Sequence, residues 1–244
     1  MSELPVPALA GPVPAIAGPV PAGSTVARRV DVGEVTPLFR FMRDAEQRFE
    51  TLRMTIVDRR LSASGDLVER VNVWVRHPGA SRVVVGRADG PARGGYHVWV
   101  VRDDTVTHYD ADANVVRSRP RLSIPAGADS DDNLPAFGRV YRPRTALPAG
   151  SLADTFVHPH GFCRNVLASG DLSTAGIATS ADGREMALVR CDHPRSATIL
   201  VDRPDHWLLV GADRATGLIL LLEEHVREEL TRRAEVTALA LDEP

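Results

Sequence analysis

From Pro37 onward the chain alternates between two hydrophobic periods. Leu38, Phe41, Met42, Ala45 and Phe49 fall on one face at helical spacing, with Arg40, Arg43, Asp44 and Arg48 elsewhere, which predicts an amphipathic helix over Pro37–Glu50. Thr36 suits an N-cap and Pro37 the first helical position, where a missing N–H costs no hydrogen bond. At Thr51 the period drops to two: Leu52, Met54 and Ile56 alternate with Thr51, Arg53 and Thr55, the pattern of a strand over Thr51–Leu61.

The same alternation predicts strands at Leu67–Arg76, Ser81–Gly86, Tyr96–Arg102, Thr105–Asp110 and Val115–Ser118, with turns short enough to join antiparallel neighbours into a meander. It resumes at Ser173–Thr179, Glu185–Cys191, Ser196–Val201, His206–Ala212, Leu218–Val226 and Thr231–Leu241. The sharpest hairpin signal is the Asp213–Gly217 turn between two apolar strands. Leu152–Leu167 reads as a second helix broken at His158-Pro159-His160-Gly161. With about eleven strands and two helices, the fold class is α+β dominated by antiparallel sheet.

Two stretches lack either period. Residues 1–33 repeat a Gly-Pro-Val-Pro-Ala theme, expected to form a disordered or semi-rigid linker that offers a docking element to a proline-binding partner. Residues 120–150 dissolve into Pro, Gly, Asp and Arg, with an acidic run at Asp129–Asp132, and are expected to be a long loop insertion and a second docking element. That leaves 34–244 as a single domain.

Composition narrows the function classes. Hydrophobic residues at 43% and charged residues at 25% describe an ordinary globular chain, and a net charge of −3 gives no broad electrostatic case for nucleic acid or anionic membrane. All 29 Lys-or-Arg positions are Arg, consistent with GC-rich coding, which excludes lysine-dependent chemistry such as a P-loop or a Schiff base. The pairs Arg59-Arg60 and Arg232-Arg233 are expected to decorate solvent faces. No apolar run is long enough to span a bilayer, and the start lacks a signal-peptide pattern, so the expected location is cytoplasmic as written, or extracytoplasmic if the true start lies upstream.

Candidate chemistry is sparse. His158, His160 and Cys163 are the most suggestive metal- or thiol-type cluster, joined at a distance by Cys191 and His193, but no further ligand follows at a fixed step. The two cysteines are expected to be buried free thiols, or a disulfide if the protein is exported. No Gly-x-Ser-x-Gly context marks a nucleophile, so no catalytic residue and no cofactor are assigned. The strands instead carry large apolar groups in both phases: Trp74 against Val71, Val73 and Val75, and Trp99 against Tyr96, Val98 and Val100. Either helices cover both faces, or one face lines a cavity for an apolar ligand. In the second case the expected lining is Phe41, Met54, Trp74, Trp99, Tyr109, Trp207 and Leu220 on one continuous face.

The helix followed by "TLRMTIVDRR", "NVWVRHPGASRVVV", "YHVWVVRDDTVTHYDADANVV", "GREMALVRC" and "DHWLLVGADRATGLILLLEEH" resembles the lipoprotein-carrier superfamily of LolA-like carriers and RseB-type sensors. The resemblance spans Val35 to Asp242 and is most specific at Trp74-Val75-Arg76-His77-Pro78 and at the late hairpin. It implies a curved, open half-barrel wrapped around the two helices, and a non-enzymatic role binding a lipid or acylated peptide or sensing a signal through a partner protein. Members of that superfamily are exported, whereas this chain opens on the Pro-rich repeat with no lipobox cysteine. The rival expectations are an interaction module whose interior is filled by its own side chains, and an enzyme at His158, His160 and Cys163.

Overall fold

The computed structural model describes residues 32–88, 95–102, 105–120, 143–194 and 205–243, with backbone alone for 32–36. Eleven strands form one antiparallel sheet: β1 (Thr51–Arg60), β2 (Leu67–Arg76), β3 (Ala80–Arg87), β4 (Tyr96–Arg102), β5 (Thr105–Asp110), β6 (Val115–Pro120), β7 (Asp171–Thr179), β8 (Glu185–Asp192), β9 (His206–Asp213), β10 (Ile219–Val226) and β11 (Glu229–Leu241). Their order is β6-β5-β4-β3-β2-β1-β11-β10-β9-β8-β7, so β6 and β7 are the edges among the described residues. Two meanders, one from each half of the chain, are joined where β1 pairs with β11. The strand expectations hold closely because short turns force sequence neighbours to become spatial neighbours. The stretch 196–201 lies outside the described residues, as do the Pro-rich start and most of the 120–150 insertion.

The result is a curved, open half-barrel. Its helices are α1 (Val32–Arg43), followed by a 3₁₀ turn over Ala45–Arg48, then α2 (Leu152–Val157) and α3 (Pro159–Asn165). The break expected at His158-Pro159 is present: Pro159 opens α3, where its missing N–H is harmless. The first helix departs from expectation. It begins at Val32, not at Thr36, so Pro37 lies inside it as its sixth residue, beyond the first turn whose N–H groups have no partner within the helix. It also stops at Arg43, and the remaining apolar positions Ala45 and Phe49 are carried by the 3₁₀ turn and its exit.

The helices pack on the inner face of the sheet. Leu52, Met54 and Ile56 of β1, Val71, Val73 and Val75 of β2 and Val236 of β11 face inward and are buried together with Met42, Phe156 and Leu220. Gly217 lets the β9–β10 turn approach the first helix closely, with φ +79 and an added Cβ only 2.8 Å from the Phe41 carbonyl oxygen. The turn it closes is held by buried Asp213, which takes Arg184 on both oxygens (3.3 and 2.9 Å) and accepts from the backbone N–H and the hydroxyl of Thr216.

Candidate ligand cavity

One end of the inner face is not filled. A cavity of about 560 Å³ lies between strands β1–β5 with β11 and the segment that enters α2. Its floor is apolar, made by Val71, Val83, Val85 and Trp99. Register explains the grouping: Val73 stands opposite Val83 and Val83 opposite Trp99, while Val71 stands opposite Val85, so these side chains share one face across three strands. Its roof is made by Pro148, Gly150, Ser151, Leu152 and Ala153, mostly small residues.

The roof is held in place by polar contacts. Arg144 binds Glu50 through both carboxylate oxygens (3.0 and 3.1 Å), and its backbone N–H donates to buried Glu46 at 2.9 Å. Thr145 meets His77 Nδ1 at 2.8 Å and accepts from the Gly79 N–H, and the Ser81 hydroxyl donates to the Ala146 carbonyl. Ser151 caps α2 by accepting from the Asp154 N–H. Burial lowers the His77 pKa to about 4, helped by the Arg144 charge, so this clamp rests on a neutral imidazole.

The far end of the cavity is charged. Asp58 lies in phase with Met54 and Ile56 yet is 1% exposed, and Arg232 pairs with it through two hydrogen bonds of 2.8 and 3.0 Å. Arg232 also donates to Glu224 (2.9 Å), while Arg60 approaches Asp58 at 3.4 Å and Glu69 at 3.6 Å. Burial opposes the Arg232 charge, but the hydrogen bonds and charges of Asp58 and Glu224 outweigh it and raise its pKa. Arg60 and Arg232 therefore serve this inner cluster and do not merely decorate solvent. On the open side His97 and His108 stack at 5.7 Å. The Trp99 Nε1–H is buried without an acceptor among the described residues, in a side chain that lines the cavity.

The expected lining is divided by the sheet. Trp99 lines the cavity. Met54 and Leu220 are fully packed core beneath the helices, and Phe41 is covered by the Arg48 guanidinium at 3.9 Å. Trp74, Tyr109 and Trp207 are on the outer face, because each is one residue out of phase with the inward set of its strand. Trp207 is stacked on His225 (3.7 Å) with Arg190 on its ring (4.0 Å). The single continuous face is thus corrected to two. The missed residues had one visible signal: Asp58 and Glu69 are charges in otherwise apolar phases at the same strand ends.

The thiol and metal candidates have structural surroundings. His158 Nδ1 is 3.0 Å from Asp154 and its Nε2 is 3.5 Å from Glu46. Burial pushes both cysteine thiols up to about 12, and both cysteines are free. His160 is also held below the usual imidazole range by burial and by Arg43 and Arg164. Among the described residues, the group with metal-compatible spacing is instead His97, Asp110 and Asp112, whose ligand atoms lie within 4.8 Å of one another. Those carboxylates already accept backbone N–H groups of Asp112, Ala113 and Gly95, which shapes the β5–β6 hairpin. No described helix is long and apolar enough to cross a membrane.

No protein-family model and no curated protein matches the chain. Solved structures do. The structure of MucB aligns with 86% of this chain at 17% identity and a TM-score of 0.50, and this chain spans 60% of MucB's length. A Pseudomonas aeruginosa MucA/MucB complex aligns over 86% of the chain and 58% of its own at 18% identity and 0.47. The Mycobacterium tuberculosis lipoprotein LppX aligns over 88% and 98% at 11% identity and 0.42. The open antiparallel sheet with helices on its inner face, together with the MucB alignment, gives this chain the half-barrel fold of MucB.

Proposed function

We propose that the chain is a non-enzymatic binding module that takes one apolar or amphipathic ligand, an acyl chain or an acylated peptide, into the inner-face cavity. The observation that supports it best is the cavity itself: about 560 Å³ left open beside the buried core. That volume falls within the roughly 300–1,000 Å³ of small-molecule sites. Each methylene buried against Val71, Val83 and Val85 contributes about 0.8 kcal/mol. The Asp58–Arg232–Glu224 and Arg60–Glu69 groups at one end suit a polar head. Burial and the raised pKa values make both thiols poor nucleophiles.

Titration with a dansyl fatty acid and native mass spectrometry after mild purification test this reading. Wild type should enhance the dansyl emission saturably and carry a lipid mass, and Trp99→Arg should lose both while keeping its thermal transition. A clean apo mass with no dansyl response overturns it.

A further inference from the structure

The outer face of the sheet is charged very unevenly. On strands β7–β11 the outward arginines are neutralised: Arg233 binds Glu223 and Glu235 (both 3.0 Å), and Arg190 binds Asp192 (2.9 Å). On strands β1–β6 the outward phase carries Arg53, Arg59, Arg70, Arg76, Arg82 and Arg102 and not one Asp or Glu. Among the described residues none of these six forms an ion pair, and Arg82 finds only the Trp74 ring, 5.6 Å away. A chain with net charge −3 has gathered, on one half of one face, six cations with no ion-pair partner among the described residues.

Apolar groups run through the same half. Val84 stands opposite Val98, Val98 opposite Tyr109 and Tyr109 opposite Val116, which is 64% exposed. In the neighbouring row Arg53, Trp74 and Arg82 are consecutive, and Trp74 is 38% exposed. Beside them a groove of about 270 Å³ opens over Thr55, Ala238 and Ala240, where small side chains leave Trp74 and Arg53 as walls.

We propose that this outer face of β1–β6 is a docking surface for a partner protein that presents carboxylates around an apolar centre. Charge complementarity selects the acidic partner: each guanidinium can take a carboxylate, and their mutual repulsion is relieved only when one arrives. A tryptophan and tyrosines among arginines, with acidic residues excluded, is the composition of interface centres. The alternatives fit less well. A flat bilayer meets the outside of a curved sheet along a narrow strip. Nucleic-acid bases need free ring faces, whereas Tyr96 and Tyr109 contact each other (5.7 Å) and Arg82 occupies the Trp74 face. The surface lies opposite the cavity, so it works independently of any ligand held there.

Peptide-display selection against the whole chain tests the proposal. Enriched sequences should be rich in Asp and Glu around one or two apolar residues. A synthetic peptide of the consensus should bind saturably, weaken as salt rises, and lose about tenfold or more in affinity on the double substitution Arg53→Glu with Arg82→Glu. Arg117→Glu with Arg119→Glu, on the inner face of the edge strand β6, should leave the affinity within about twofold, and circular dichroism should show all variants folded. Enrichment without acidic residues overturns the proposal, as does equal binding by the Arg53/Arg82 variant. So does Arg53/Arg82-dependent binding to phosphatidylglycerol vesicles or to single-stranded oligonucleotide in place of the peptide.

Discussion

Trp74 and Trp99 stand two strands apart on opposite faces of one sheet. Val73 aligns with Val83 and Val83 with Trp99, which places Trp99 inward, and Trp74, one residue on, outward against Arg82. The two tryptophans that look alike in sequence therefore serve different surfaces. Filling the cavity should separate them: Val83→Trp should abolish dansyl fatty acid binding, and Trp74→Ala should leave it within about twofold.

The Asp58 carboxylate is buried and bidentate with Arg232. Asp58→Ala leaves a partly buried guanidinium facing Glu224 alone, and such a deletion costs about 3 kcal/mol. The loss should appear as a lowered urea midpoint with an unchanged slope.

His77 gives the fold a pH-dependent component. Its pKa is about 4 in the folded chain and 6.5 in the unfolded one, so above 6.5 both states are neutral and the contribution is complete. As pH falls from 6.5 toward 4 only the unfolded state takes up the proton, and stability declines by no more than about 3 kcal/mol. Below 4 the decline from this group ends. Urea midpoints measured across that window should show the slope in wild type and a shallower one in His77→Phe.

Gly217 combines a left-handed backbone with contact against the first helix. Gly217→Ala should cost about 2 kcal/mol or more, since the added Cβ is strained in conformation and meets the Phe41 carbonyl. Calorimetry should show the lower melting temperature, and Gly183→Ala, also at positive φ but with open space around it, should lose less.

Neither thiol should react in the native state. Cys163 and Cys191 are buried with pKa values pushed up to about 12, so iodoacetamide at neutral pH should label both only after unfolding. Rapid native labelling of Cys163 would revive the thiol-chemistry expectation.

Local pattern along the chain determined most of the fold. Period-two runs bounded by short turns specify strands and antiparallel neighbours with no long-range information, and Pro159 after His158 specifies a broken helix. The start of the first helix was not legible, because Thr36-Pro37 carries the N-cap and first-position signal while the helix begins at Val32 and keeps Pro37 as its sixth residue. Which residues meet in the cavity was decided only in three dimensions. Side-chain phase says that Trp74 and Val73 differ in direction, but not which direction is inside; the pairing of β1 with β11 and the seating of the helices settle that. The charge of the outer face was hidden in the same way. Six arginines dispersed over four strands average to nothing in a chain of net charge −3, and strand register collects them on one surface while turning Asp58, Glu69 and Asp110 to the other.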